Sequence, residues 1–165
     1  MKSTIFLRNG DKINLVLDSE CAPITVENFV KLAKENFYNG LIFHRIIPMF
    51  MCQGGGMDEN MKEKKTSSIK GEFLANGVNN TRKHKAGTIS MARTMVKDSA
   101  SSQFFICSVD TPHLDGQYAA FGEVADEESM AVILKMSNVD TKSVGYYDDV
   151  PVTPIIIDRV EVYED

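Results

Sequence analysis

Short apolar runs recur along this chain, and the clusters of Gly, Asn, Asp and Ser between them leave too little room for crossover helices joining parallel strands. Runs at 3–8, 12–18, 42–47, 50–54, 87–92, 103–108, 118–124 and 154–163 read as strands, which favours antiparallel pairing into a barrel or a sandwich. Ile13, Leu15 and Leu17 alternate with Asn14, Val16 and Asp18, the period of a half-buried strand. Asn9-Gly10-Asp11 supplies a turn in which Gly accepts positive φ, so 3–8 and 12–18 form a hairpin.

Two stretches have helical spacing instead. Val26, Phe29, Val30, Ala33 and Phe37 line one helix face, with Thr25 as an N-cap candidate after Pro23 and Asn39-Gly40 as a stop. A second helix is expected from about Glu127 to Ser137, with Met130, Ile133, Leu134 and Ser137 on one face. Segments 55–86 and 138–153 read as long irregular loops, which in a domain usually carry function or vary freely. Nothing repetitive, Pro-rich or of low complexity divides the chain. Its 165 residues suit one domain, 1–165, and a domain near this size buries about 68–70% of its unfolded surface.

A formal net charge of −5 disfavours a nucleic-acid partner, whose affinity comes largely from Lys and Arg neutralising phosphates. The densest basic run, Lys62-Glu63-Lys64-Lys65 with Lys70, is diluted by Asp58, Glu59 and Glu72. Cys21, Cys52 and Cys107 are odd in number and widely spaced, so reduced thiols are expected rather than a disulfide framework. Neither they nor His44, His84 and His113 have metal-ligand spacing. Ile5-Phe6-Leu7 is far shorter than a signal-peptide core, and no run reaches the roughly 18 apolar residues of a membrane span. A cytoplasmic location with no membrane partner is the expectation. Gly54-Gly55-Gly56 lacks the Gly-Lys-Ser/Thr ending of a phosphate loop, and Gly87-Thr88-Ile89-Ser90-Met91 lacks the final Gly of a nucleophile elbow. A hydrolase reading has little support.

The run from Phe43 to Gly55 sets one arginine and one glutamine among large apolar residues on two strands. A three-residue connection, Pro48-Met49-Phe50, places Ile47 opposite Met51 and Arg45 opposite Gln53, whereas a two-residue connection places Arg45 opposite Cys52. The residues leave both registers open. In Ser102-Gln103-Phe104-Phe105-Ile106 the period of two sends Gln103 and Phe105 to one side and Phe104 and Ile106 to the other. An isolated mid-strand arginine is ordinarily a surface residue facing a carboxylate. Phe50, Met51, Phe105 and Leu114 are more apolar surface than that role needs, and Gln53 and Gln103 can orient a guanidinium.

These segments, with Leu114-Asp115-Gly116 and then Phe121-Gly122, resemble the cyclophilin family of peptidyl-prolyl cis-trans isomerases over almost the whole chain. The likeness is greatest to the compact single-domain bacterial members. It implies a mainly β fold, a closed eight-stranded antiparallel β-barrel capped by two α-helices. It also implies isomerisation of X-Pro bonds in peptides and in unfolded or folding proteins, by a monomer without metal or organic cofactor. By this resemblance Arg45 is catalytic, and Gln53 braces it or binds a substrate carbonyl. Phe50, Met51, Phe105 and Leu114 receive the proline ring, and Ala92 and Gln103 line the groove.

Three positions depart from many family members: His113 stands in place of tryptophan, Tyr118 of a pocket-lining histidine, and Arg93 of asparagine. All three are expected on the substrate side. The missing tryptophan implies weak binding of cyclosporin-type ligands with isomerase activity retained. His44 is expected to be structural or peripheral. The alternative is a proline-peptide binding module or holdase chaperone with lost or incidental catalysis. His113 and Tyr118 favour that alternative, while Arg45, Phe50, Gln53 and Phe105 favour the enzyme.

Overall fold

The computed structural model describes residues 1–164. The expected first hairpin pairs β1 (Lys2–Leu7) with β2 (Lys12–Leu17), with Gly10 at a φ of 99° in the turn. Later strands are β3 (Leu41–Ile42), β4 (Arg45–Ile47), β5 (Met51–Gly54), β6 (Met57–Asp58), β7 (Thr88–Met91), β8 (Phe104–Cys107) and β9 (Ala120–Val124). The chain closes with β10 (Thr141–Val144), β11 (Tyr147–Pro151) and β12 (Ile157–Tyr163). Eight of them form one antiparallel sheet in the order β12-β1-β2-β9-β7-β8-β5-β4.

The sheet curls on itself, and its closure explains why the expected strand 42–47 is interrupted at Phe43-His44. The N–H of Gly40 donates to the Ile157 carbonyl at 2.8 Å and that of Phe43 to Ile155 at 3.0 Å, while Ile42 bridges Ile156. Residues 40–43 thus turn toward the β12 side, and β4 returns to β5. Gly54 is required beside this bend, because a Cβ there would lie 2.7 Å from the Ile42 carbonyl oxygen and 2.9 Å from the Phe43 Cα.

The inner face holds Ile5, Ile13, Leu15, Ile46, Cys52, Ile89, Phe104, Ile106 and Phe121, all fully buried. Helix α1 (Pro23–Lys34) packs against β12 and sends Phe29 into this core, 5.4 to 5.8 Å from the rings of Tyr38, Phe104 and Phe121. Helix α2 (Glu127–Met136) packs against β2 and buries Ile133, whose carbonyl accepts from the Cys52 thiol.

Several expectations need correction. Thr25 is not the N-cap of α1. Pro23, which has no N–H to satisfy, opens the helix, so Thr25 lies in its first turn. Its N–H and Oγ1 both donate to Oε1 of buried Glu72, at 2.6 and 2.7 Å, so a carboxylate distant in sequence caps the helix and complements its dipole. The helix stops at Lys34, before Asn39-Gly40, because Asn36 takes a left-handed φ of 58°. In α2 Leu134 is exposed, and Met136 takes the buried place expected of it. Segment 138–153 is not irregular: it contains the β10–β11 hairpin, whose exposed Lys142, Ser143 and Asp148 hid the apolar alternation of a half-buried strand.

Candidate active site

The β4–β5 hairpin has the three-residue connection, with Arg45 opposite Gln53 and Ile47 opposite Met51. Met49 takes a φ of 57° in the turn, and the Phe50 N–H donates to the Ile47 carbonyl. Arg45 is exposed, and its Nη1 donates to Gln53 Oε1 at 3.2 Å. Gln53 Nε2 in turn donates to Gln103 Oε1 at 2.9 Å. Each end of the Gln53 amide is therefore engaged, and the guanidinium is held at the end of a polar row.

Beside this row is a second apolar cluster, separate from the main core, in which Met51, Phe105, Cys107 and Leu114 are buried and Ile47, Phe50, Ala92 and Tyr118 pack around them. Strand β8 builds both clusters. Its alternation sends Phe104 and Ile106 into the main core and Phe105 and Cys107 into this one.

Between row and cluster lies an open cleft. Arg45, Gln53 and Arg93 supply its polar lining, and Phe50, Met51, Ala92, Phe105, Leu114 and Tyr118 its apolar lining. The sequence singled out all of these. Gln103 and His113 lie outside the cleft: Gln103 lines a neighbouring groove that shares Gln53, Ala92 and Arg93 with it. His113 lines a groove on another flank, its ring 5.7 Å from that of Phe50.

Arg93 is fixed in place. Its guanidinium carbon sits 4.7 Å from the Phe73 ring centroid and 4.6 Å from that of Tyr118, a double cation–π contact. Nε and Nη2 donate to the Gln117 carbonyl and Nη1 to that of Thr94. Tyr118 meets Phe105 edge-on at 5.8 Å, so Arg93, Tyr118 and Phe105 form one connected wall.

What supports Phe105 from behind carries no local sequence signal. His84 is buried and stacks on it, with centroids 5.9 Å apart and planes 16° from parallel. Its Nε2 lies 2.9 Å from Ser90 Oγ and its Nδ1 3.2 Å from Asp115 Oδ1, and its backbone N–H also donates to that oxygen. Burial pulls the His84 pKa down, against the pull of Asp115 in the other direction. Ser90, His84 and Asp115 have the connectivity of a hydrolytic triad, but Ser90 is fully buried and cannot reach a substrate. The group positions Phe105. His84 lies in a long loop without periodicity, so no spacing could have linked it to the cleft.

His44 points away from the cleft, as a strand neighbour of Arg45 should. It is buried edge-on to Tyr147 with Nδ1 lacking a partner among the described residues, and burial, then the Arg45 charge, pushes its pKa down to about 4. Among the described residues no helix is long and apolar enough to cross a membrane.

A family model described as cyclophilin type peptidyl-prolyl cis-trans isomerase/CLD matches residues 4–162. Peptidyl-prolyl cis-trans isomerase A of Dickeya dadantii is 48% identical over 159 residues, covering 93% of this chain and 80% of that protein. Peptidyl-prolyl cis-trans isomerase B of Escherichia coli is 41% identical over 169 residues, covering 98% and 99%. The fold matches that of a Cryptosporidium parvum cyclophilin type isomerase solved in the presence of the dipeptide Ala-Pro, with a TM-score of 0.78, 23% identity and all of both chains covered. A chain that has this fold throughout and shares two-fifths or more of its residues with bacterial isomerases belongs to the cyclophilin family, and its activity is peptidyl-prolyl cis-trans isomerisation.

Proposed function

We propose that Arg45 is the catalytic residue and that the cleft beside it receives the proline of an X-Pro bond. The observation that carries this reading is the row Arg45–Gln53–Gln103, which holds a guanidinium beside the apolar wall of Phe50, Met51, Phe105 and Leu114. Rotation about X-Pro is opposed by amide resonance, with a barrier of about 18–20 kcal/mol for a peptide bond. A guanidinium donating to the prolyl nitrogen interacts with a lone pair that is free in the twisted state and delocalised in the planar one. It therefore favours the transition state over the ground state.

An acceleration of about five decades needs about 7 kcal/mol, and one charged hydrogen bond contributes about 1.5–3. The remainder falls to the apolar side. Phe50, Met51, Phe105 and Leu114 remove water from the amide and hold the proline ring while the acyl side turns. Gln53 keeps Arg45 in line, and Gln103 anchors Gln53. Ala92 leaves room for the substrate backbone, while Arg93 and Tyr118 wall the cleft and His113 flanks it behind Phe50.

The substrates proposed are proline-containing segments of unfolded or folding polypeptides, with cyclosporin-type ligands bound weakly for want of a large aromatic at His113. We take residues 1–165 as one isomerase domain, supported by the family match over residues 4–162, and propose that it acts as a monomer. A cytoplasmic location is supported by the cysteines, all of them free thiols. Cys52 and Cys107 face opposite sides of the sheet, so they do not pair. Titrating a short X-Pro peptide into labelled protein tests the cleft assignment. Amide shifts should concentrate in β5, β8 and residues 113–118, and shifts centred on the β10–β11 hairpin would remove it.

A further inference from the structure

We infer that this isomerase favours substrates with a carboxylate on one side of the proline, held in the groove between Arg93, Lys97 and His113. The inference rests on the Arg45 cleft being the catalytic one. The chain carries a net charge of −5, yet this groove is lined by Arg93, Lys97 and His113 and by no Asp or Glu among the described residues. It has about 980 Å³ of open space, and it continues from the prolyl cleft because Arg93 and Tyr118 line both. A peptide leaving the cleft on that flank runs directly into it.

The positive charges are positioned and not neutralised. Arg93 is clamped between Phe73 and Tyr118, and its hydrogen-bond acceptors are the neutral carbonyls of Gln117 and Thr94. Exposed Lys97 donates to another carbonyl, that of Ala75, at 2.9 Å and retains two further N–H groups. The acids nearest in sequence are engaged elsewhere. Asp98 accepts from the Gly71 N–H and the Asn76 side chain, and Asp115 from His84. A substrate carboxylate would meet an already ordered guanidinium, so little side-chain freedom would be lost on binding.

The preference is one-sided because the other flanking groove differs. It shares Arg93 with the first, but in place of Lys97 and His113 it has the neutral side chains of Gln53, Ser99, Ser101 and Gln103 and the exposed carboxylate of Glu63. An acidic residue there meets Glu63 as well as Arg93, so attraction to the guanidinium is offset by a like charge, whereas in the first groove Lys97 adds to it.

The test uses the intact protein and matched X-Pro peptides carrying Glu, Gln or Lys at one to three residues before or after the proline. On one side of the proline kcat/KM for the Glu peptide should exceed that for the Lys peptide by about three- to tenfold, the size expected of a few exposed ion pairs. On the other side it should not. The ratio should shrink as salt rises from about 0.05 to about 0.5 M, where screening shortens the reach of exposed charges. It should fall to one or invert in Lys97→Glu. A ratio near one on both sides, an equal gain on both sides, or a ratio untouched by both salt and Lys97→Glu would overturn the inference. The Gln peptides keep the two claims separate. Brisk, Arg45-dependent turnover of them without Glu–Lys discrimination removes only the carboxylate preference, while absence of turnover removes the reading on which it rests.

Discussion

Arg45 Nη1 donates to Gln53 Oε1 at 3.2 Å across the β4–β5 hairpin, and Gln53 reaches on to Gln103. An exposed arginine has many rotamers, so a partner that selects one aims the guanidinium at the cleft. Gln53→Ala removes that partner and leaves the cation. It should lower kcat/KM for an X-Pro peptide by about tenfold, the equivalent of about 1.4 kcal/mol and within the worth of one hydrogen bond. Unchanged kinetics in a stopped-flow assay would show that Arg45 needs no brace.

Phe105 is contacted on both faces of its role, by His84 stacked behind it and Tyr118 at its edge. Phe105→Ala should cost about 3–5 kcal/mol of stability, as for a buried aromatic, and should also lower kcat/KM in the fraction that remains folded. Urea unfolding and peptide kinetics on the same preparation separate the two effects. A variant destabilised but fully active per folded molecule would place the proline elsewhere.

Glu72 caps α1 from a distant loop through both the N–H and the hydroxyl of Thr25. Glu72→Ala leaves two buried donors unpaired at a helix N-terminus, and should destabilise the protein by about 2–3 kcal/mol in urea. A loss below about 0.5 kcal/mol would mean that water replaces the carboxylate at little cost.

His44 supplies a pH dependence with a definite sign. Its folded pKa is depressed to about 4, against an ordinary value of 6.5, so the unfolded chain takes up the proton first as the solution is acidified. The contribution is fully present above about pH 6.5 and is lost as pH falls toward about 4, amounting to on the order of 3 kcal/mol. His44→Phe removes the titrating ring and the unpartnered Nδ1. The variant should lose less stability than the parent between pH 7 and pH 4.5, and parallel losses in the two proteins would contradict this account.

Much of the fold was legible because short strands, close turns and two helical periods are local signals. Alternation put Gln103 and Phe105 on one face of their strand, but that Met51, Gln53 and Phe105 share a cleft was implied by the family resemblance, since the residues left the β4–β5 register open. What escaped reading depended on distant partners. Glu72 caps a helix far from it in sequence, and His84 reaches Phe105, Ser90 and Asp115 from a loop without periodicity. The break between β3 and β4 follows from closure onto 155–157. His113 illustrates the same limit: its standing where many family members have tryptophan implied the substrate side, but the turn at Pro112–Leu114 buries the leucine and leaves the histidine on the outer flank against Phe50.

The measurement that bears most directly on the central claim is the cis-to-trans rate of a short X-Pro peptide with substoichiometric protein, compared with Arg45→Ala and Arg45→Lys. The account predicts rapid turnover by the parent, a fall of at least about tenfold in kcat/KM for Arg45→Ala, and only partial recovery in Arg45→Lys, whose point charge lacks the planar fork that Gln53 orients. A folded Arg45→Ala variant that isomerises as fast as the parent would contradict it, and would shift the catalysis to the apolar cleft alone.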